Sequence, residues 1–429
     1  MNPCILKYGK TEVPVAISDS DLLGVIDSHP TGPARSEAEV IREALEHPIN
    51  SPRLKALVKP GEKVCIIISD ITRAWQRMSV YLPFLVNELN EAGIRDQDIL
   101  FLSATGTHRK HTPAEHQILL GPDLAKRFSV IDHDCRDTAN LTYLGTTSYG
   151  TPVTVNKAAL TCDHIIITGA IVYHLLAGWS GGKKSLLPGI ASYETIMANH
   201  AMSLNPKRGG GSNPAVGSGK VIGNPVHEDM LETAAMVKPS FLFNVIMDPN
   251  GRIGHAVAGD FRAAHSAGCR IVDEQDRIAI PRLAELTIAS AGGYPKDINF
   301  YQAIKSILNV NEAIKPGGAM IILAQCHEGL GDDEIQEIIQ NYDTLLERED
   351  GLRANYSIAK FVGYYVTEIA SHSLMILVSE ISPDSVANAN IRVVKTLDEA
   401  LAIVAREKGE HLPTYLMPHA GNTMPVVAG

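Results

Sequence analysis

Residues able to do chemistry crowd around Gly181-Gly182-Lys183-Lys184-Ser185-Leu186-Leu187-Pro188-Gly189, with His200 sixteen residues beyond Lys184. Two lysines directly behind a glycine pair, ahead of an expected helix, suit a phosphate-bearing group held against backbone N–H groups. A histidine one segment further on is placed to meet whatever that group carries. The stretch is not a nucleotide-triphosphate loop, which needs Gly, four residues, then Gly-Lys-Ser/Thr. In one register Ala177 stands at the first glycine and Lys184 at the hydroxyl residue; in the other, Lys183 replaces the second glycine. Phosphate contact stays open, and an ATP-dependent enzyme with a degenerate phosphate loop is disfavoured.

Four apolar runs end in dense polar ones. Residues 64–69 lead into Asp70-Ile71-Thr72-Arg73, and 99–103 into Thr105-Gly106-Thr107-His108. Residues 164–168 lead to Tyr173-His174, and 286–291 to Gly292-Gly293-Tyr294-Pro295-Lys296-Asp297. In parallel α/β sheets the ligand crevice lies outside the carboxyl ends of the strands. These runs are therefore expected to share a rim, the last arriving from a second domain, with the active site in the cleft between domains. Taken singly, Asp70 and Thr72 would serve as helix caps, Arg73 as a surface cation, and each histidine as a structural residue. Together they point to function. His111 and His116 bracket a helix start at Thr112-Pro113-Ala114-Glu115 and read as solvent-facing. A metal triad of His108, His111 and His116 is disfavoured, because a Thr-Pro turn keeps them off one helix face.

The elements that must position these groups alternate between apolar β-rich runs and amphipathic ones. Strands are expected at 64–69, 99–103, 164–168 and 241–247, and helices at 36–46, 78–92 and 113–119. A second series has strands at 286–291, 320–324 and 374–378 with helices at 333–347 and 396–408. Such alternation predicts an α/β protein with mainly parallel sheets covered by helices. At 429 residues the chain is too long for one core, which suggests two α/β domains. Residues 1–273 are expected to form an N-terminal domain carrying the cofactor site, rejoined by 409–429, with 274–408 as a C-terminal domain closing the cleft. Lys59-Pro60-Gly61 and Lys315-Pro316-Gly317 each precede a strand, an echo that a shared turn preference explains equally well. The Gly-, Asn- and Pro-rich stretch 205–225 reads as irregular structure of functional or mobile kind.

A net charge of −10 argues against nucleic acid as a partner, though a local basic pocket for an anion is compatible with it. The six cysteines form no C-x-x-C pair and suit reduced thiols in a cytoplasmic protein. No apolar run is long enough to span a membrane, and the first residues lack the apolar core of a signal peptide.

The runs Asp70-x-Thr72-Arg73, Gly106-Thr107-His108, Tyr173-His174, Ser180-Gly181-Gly182-Lys183-Lys184-Ser185, Asn199-His200, Gly223-Asn224-Pro225-Val226-His227 and Gly292-Gly293-Tyr294-Pro295-Lys296-Asp297 resemble the nickel-dependent lactate racemase family. The likeness extends from about residue 10 to 415, and its most specific part is Ser-Gly-Gly-Lys-Lys with the downstream histidine. It implies a nickel pincer nucleotide, the pyridinium-3-thioamide-5-thiocarboxylic acid mononucleotide of nickel, made by separate maturation enzymes. It further implies that Lys184 carries this group covalently, that His200 is the nickel ligand, and that Asp70, Thr72, Gly182 and Lys183 support the cofactor. His108 and His174 would be the paired acid/base residues, and Arg73, Tyr294 and Lys296 would bind a small 2-hydroxy acid. The chemistry is coherent. An unaided imidazole cannot remove the C2 proton of a 2-hydroxy acid near pH 7, whereas hydride removal is eased when an electrophile receives it and a base takes the hydroxyl proton.

The chain departs from the family in reading Ala74-Trp75 after Thr72-Arg73, where proline is common. Its two tryptophans, Trp75 and Trp179, both lie in the first half, and Tyr356 is the aromatic nearest the place of the tryptophan that lactate-acting members carry. The identity of the acid, whether lactate, malate, a longer or aromatic acid or a sugar acid, therefore stays open. The competing reading is a non-catalytic nucleotide or metal carrier for cofactor storage or delivery, in which His108 and His174 would have no effect.

Overall fold

The run Val64-Cys65-Ile66-Ile67-Ile68 has no polar alternation, the mark of a strand covered on both faces. In the computed structural model, which describes residues 4–29 and 35–428, all five side chains are fully buried. They form β1 (Val64–Ser69), followed in chain order by β2 (Ile99–Ala104), β3 (Val130–Asp132), β4 (His164–Ala170), β5 (Phe241–Met247) and β6 (Ile253–Gly259). The sheet runs in the order β6, β5, β4, β1, β2, β3. All pairings are parallel except that of β5 with β6.

This order decides where a ligand can sit. The chain grows outward from β1 through β2 to β3, then returns to the opposite flank of β1 as β4. The helices after β1 and after β4 diverge at such a reversal, leaving a crevice at the carboxyl ends of these two strands. Asp70 follows β1 and the segment leading to His174 follows β4, so the topology itself brings them together.

The covering helices follow their local signals. Ser36 caps Glu37–Glu46 and Thr112 caps Pro113–Arg127, each in a reciprocal capping box with the third residue. The second of these outruns the expected 113–119, but Gly121 at φ 77° breaks it ahead of Pro122, which cannot continue a helix ladder. Met78–Glu91 packs Tyr81, Leu82, Leu85 and Leu89 into the core shared with β1 and β2.

The contacts divide the chain into two units. One comprises Pro30–Ser203 and Pro214–Gln275; the other comprises Met1–His29, Leu204–Asn213 and Asp276–Gly429. The second unit has its own six-stranded parallel sheet, in the order Ile391–Val394, Leu374–Val378, Ile314–Leu323, Ala284–Ser290, Thr414–Met417, Leu22–Val25.

Two departures from the sequence reading follow from strand pairing. The stretch 409–429 was expected to rejoin the first domain, yet Thr414–Met417 pairs with Ala284–Ser290, and Met424–Val427 pairs with Arg277–Ile280. Leu22–Val25 then adds beside Thr414–Met417, drawing the N-terminal residues into the second unit too. An unpaired strand leaves a row of N–H and C=O groups unsatisfied, and these pairings remove two such rows. The expected helix 333–347 is two helices, Asp333–Gln340 and Leu345–Ala354, because Thr344 starts a new one with Glu347.

The stretch 205–225 contains no helix or strand up to Asn224, as expected. Its first part is nevertheless well tied within the second unit. Arg208 makes a paired contact with Asp350 at 2.6 and 2.5 Å, the Gly209 N–H donates to Glu349 at 2.8 Å, and the Ser212 N–H to Glu368 at 3.0 Å.

Candidate active site

The carboxyl end of β1 turns directly into a 3-10 turn, Ile71–Gln76. Asp70 occupies its cap position but makes no capping hydrogen bond. Its carboxylate, 5% exposed, is committed elsewhere. Oδ1 accepts from the Thr72 hydroxyl at 2.5 Å, and Oδ2 makes a short contact with His108 Nδ1. Arg73 in turn donates to Thr72 Oγ1 at 2.9 Å. Burial pushes the Asp70 carboxyl upward, but the hydrogen bonds from His108 and Thr72 and the charge of Arg73 outweigh it and leave the group below its usual range. An ionised Asp70 requires the proton on His108 Nδ1, which leaves Nε2 of that half-exposed ring as a free base.

The second group is built after β4. The chain makes a small hairpin, Tyr173–His174 against Gly178–Trp179, and returns through Gly181. The lysines themselves lie in a 3-10 turn, Gly182–Ser185, and the helix expected behind them starts only at Tyr193. Leu187 precedes Pro188, and the residue before a proline is disfavoured in helical geometry. The glycine pair is explained by packing. A Cβ on Gly181 would lie 2.6 Å from Asn244 Oδ1, and one on Gly182 2.7 Å from the His265 ring. Gly182, assigned from the sequence to cofactor contact, donates its N–H to Asn244 Oδ1 at 2.8 Å, so that donor is already spent inside the protein.

Lys184 Nζ lies 3.0 Å from His174 Nε2. The tautomer of this histidine follows from its other side, where Nδ1 accepts the peptide N–H groups of Leu176 at 3.1 Å and Ala177 at 3.2 Å. A neutral His174 therefore carries its proton on Nε2, and the contact is satisfied only if Lys184 is an uncharged amine that accepts it. Burial, followed by the charges of Arg73 and Lys183, brings the Lys184 ammonium down to about 7. Burial, then the positive charge that Lys184 bears when protonated, with Arg73 and Lys183, likewise hold His174 well below the ordinary imidazole value.

Lys183 is 1% exposed, and its Nζ reaches the Ala177 carbonyl only at 3.4 Å; burial brings it down to about 8. His200 stands in the last turn of the helix Tyr193–Ala201, which Ser192 caps. It is 1% exposed, and burial together with the Lys184 charge brings it down to about 3. Its Nδ1 is buried without a hydrogen-bond partner among the described residues. Asn199 beside it donates to Asp229 at 2.7 Å and to the Val226 carbonyl at 3.1 Å, tying this helix to Pro225–Val237.

Two of the sequence-derived clusters are thus assembled in the first unit: Asp70, Thr72, Arg73 and His108, and beside them His174, Lys183, Lys184 and His200, all within reach of the Arg73 charge or of one another. Tyr294 and Lys296 belong to the second unit. There Lys296 Nζ donates to Asn422 at 3.3 Å, and Lys10 Nζ lies 5.0 Å from the centre of the Tyr294 ring. Asn244 and His265, which shape the glycine turn, were missed from the sequence. Asn244 had a signal, a polar residue inside the apolar run Phe241–Met247. The solvent-facing reading of His111 is corrected, since its side chain is 1% exposed and hydrogen-bonded to Asp132. His116 is 24% exposed and reaches the same carboxylate.

Sequence comparisons agree with this organisation. Residues 8–211 match the lactate racemase N-terminal domain, and residues 280–421 the lactate racemase C-terminal domain. The chain is 34% identical over 331 residues to the lactate racemase of Thermoanaerobacterium thermosaccharolyticum, covering 76% of this chain and 75% of that protein. It is 31% identical over 421 residues to the lactate racemase of Lactiplantibacillus plantarum, covering 96% and 97% respectively. The structure of the lactate racemase apoprotein from Thermoanaerobacterium thermosaccharolyticum superposes with a TM-score of 0.90 at 30% identity, over 99% of this chain and 100% of that one. The fold and these matches define an isomerase of the racemase type. The chain belongs to the lactate racemase family. Among the described residues no helix is long and apolar enough to cross a membrane.

Proposed function

We propose that this protein inverts C2 of a small 2-hydroxy acid by reversible hydride transfer to a nickel pincer nucleotide, with His108 and His174 as the acid/base pair. The observation that carries the reading is the arrangement around Lys184: an amine brought down to about 7 by burial, in contact with His174, with the neutral imidazole of His200 buried nearby. These residues fit the cofactor. An amine must be deprotonated to be acylated, and a metal-ligating imidazole must offer a free lone pair, which a neutral His200 has on one ring nitrogen. Lys184 would hold the group covalently and His200 would ligate its nickel, while the under-coordinated ammonium of Lys183 suits a phosphate oxygen. When bound, the group supplies an electrophilic centre for the C2 hydrogen and its electron pair.

The protein's own residues handle the proton, the carboxylate and the orientation. Racemisation requires proton transfer at the substrate oxygen in each orientation; the bare Nε2 of His108 is the proposed acceptor and the Nε2–H of His174 the proposed donor. Arg73 is suited to grip the substrate carboxylate, with Lys296 and Tyr294 as further substrate-binding candidates. Acylation of Lys184 delocalises its lone pair, so the amide nitrogen no longer accepts from His174. That frees the His174 Nε2–H to hydrogen-bond the substrate oxygen.

The test is racemisation of a C2-deuterated 2-hydroxy acid, lactate first, by protein co-expressed with the cofactor-maturation enzymes. The expected result is label retained in both enantiomers, nickel in stoichiometric amount and a mass addition on Lys184. Loss of label to water would overturn hydride transfer. Nickel and nucleotide bound without inversion of any acid in a broad panel would favour the carrier instead.

A further inference from the structure

His111 and Asp132 lie outside the chemistry described so far, yet they are among the most fully bonded side chains of the first unit. The loop from β2 to the helix Pro113–Arg127 sends His108 toward the end of β1 and His111 toward the end of β3. Asp132 Oδ1 receives His111 Nδ1 at 2.6 Å and His116 Nε2 at 3.0 Å, and its Oδ2 accepts the His111 peptide N–H at 2.9 Å. On the far side of the ring, His111 Nε2 accepts the peptide N–H of Ile71 at 2.9 Å. Ile71 is the residue directly after Asp70 and opens the turn that carries Thr72 and Arg73.

The ligand atoms of His111, His116 and Asp132 are close enough to one another to suggest a metal site. The tautomer argues against it. A histidine that ligates a metal through one nitrogen carries its proton on the other, where it donates to an acceptor. Here the other nitrogen of His111 faces a donor, so a metal on Nδ1 would leave two N–H groups opposed or force an imidazolate.

We propose that the Asp132–His111 couple is a positioning device: the carboxylate holds the proton on His111 Nδ1, the bare Nε2 holds the Ile71 N–H, and the Asp70 carboxylate is thereby kept against His108. The arrangement repeats one strand over the logic of Asp70 and His108, a carboxylate fixing an imidazole tautomer, but with a peptide N–H rather than substrate as the recipient. The inference rests on the reading of His108 as an acid/base residue, and its test separates the two. If His108→Gln is inactive while His111 proves inert, only the positioning role is lost.

In the unloaded protein, nitrogen NMR of the imidazoles should find His111 protonated at Nδ1 and bare at Nε2. A protonated Nε2 would overturn the proposal without any variant having to fold. In the loaded enzyme, His111→Phe should lower kcat by roughly 10–100-fold, the penalty of a misplaced catalytic group, with KM within about 2-fold. His111→Gln, which can still present an oxygen to Ile71, should recover most of that loss. Because His111 acts through Asp70, the double variant of His111→Phe with Asp70→Asn should be no slower than Asp70→Asn alone. Additive losses, unshifted His108 signals in His111→Phe, or a second nickel ion lost with His116→Ala would each overturn the device.

Discussion

The two histidines proposed as a pair are supported in opposite ways. His108 is half exposed and backed by a carboxylate, with Thr72 and Arg73 continuing the hydrogen-bonded chain. Among the described residues His174 has no carboxylate at hydrogen-bond distance; two peptide N–H groups fix its tautomer, and a depressed lysine and a depressed histidine lie beside it. One half of the site is arranged to tolerate charge, and the other to keep an amine and two imidazoles uncharged. The difference teaches a division of labour. Under the proposed chemistry, the half that would be acylated and would offer an imidazole lone pair benefits from exclusion of water, whereas the half that would exchange protons with substrate benefits from a fixed counter-charge.

The largest effect should come from the dry half. Lys184→Ala should abolish both the mass addition and racemisation, a loss of at least about 10³-fold if the covalent group supplies the chemistry. Full activity in that variant would break the comparison at its root. Next, His108→Gln and His174→Gln should each lower kcat by roughly 10²–10⁴-fold, the usual worth of a general acid or base. They should differ in loading, because His174 hydrogen-bonds Lys184 Nζ whereas His108 bonds Asp70. Protein carrying His108→Gln should be modified normally, and protein carrying His174→Gln slowly, as followed by intact-mass spectrometry.

Asp70→Asn tests the charged half alone. It should lower kcat by roughly 10–10³-fold through the wrong His108 tautomer while leaving the addition to Lys184 intact. A pH experiment on the unloaded protein sharpens the dry half. Lys184 titrates at about 7 when folded against an ordinary 10.5, so between these values the unfolded chain binds more protons, and stability rises with pH across that window. Lys183, at about 8, contributes in the same direction. In thermal melts, Lys184→Met should therefore flatten, not erase, the rise. The smallest effect is expected for Thr72→Val, which removes one hydrogen bond to Asp70. A cost of about 0.5–1.5 kcal/mol would appear as a few-fold fall in kcat/KM; no change would mean that His108 alone orders the carboxylate.

Much of this division was legible residue by residue. The unbroken apolar run at 64–68 announced a doubly covered strand, and the polar ends of β1, β2 and β4 named Asp70, His108 and His174 before any coordinates. The Thr112-Pro113-Ala114-Glu115 signal placed one helix start correctly. What could not be read were relations that depend on distant partners. Gly182 looked like a phosphate contact until Asn244, sixty-two positions away, took its N–H. His111 looked exposed because it brackets a helix start, yet its side chain is buried and bonded to a carboxylate twenty-one positions on. The C-terminal stretch looked free to rejoin the first domain because strand pairing partners leave no mark in local composition.

The sequence by itself determined the α/β class and the set of groups able to act, since both are written in side-chain type and short-range pattern. Only the tertiary structure decided which nitrogen of His174 bears the proton, why the Lys184 ammonium is brought down to about 7 and where the final strands belong. Protonation and strand partnership depend on what surrounds a group after folding, on desolvation and on donors and acceptors contributed by remote parts of the chain, and no local run of residues contains them.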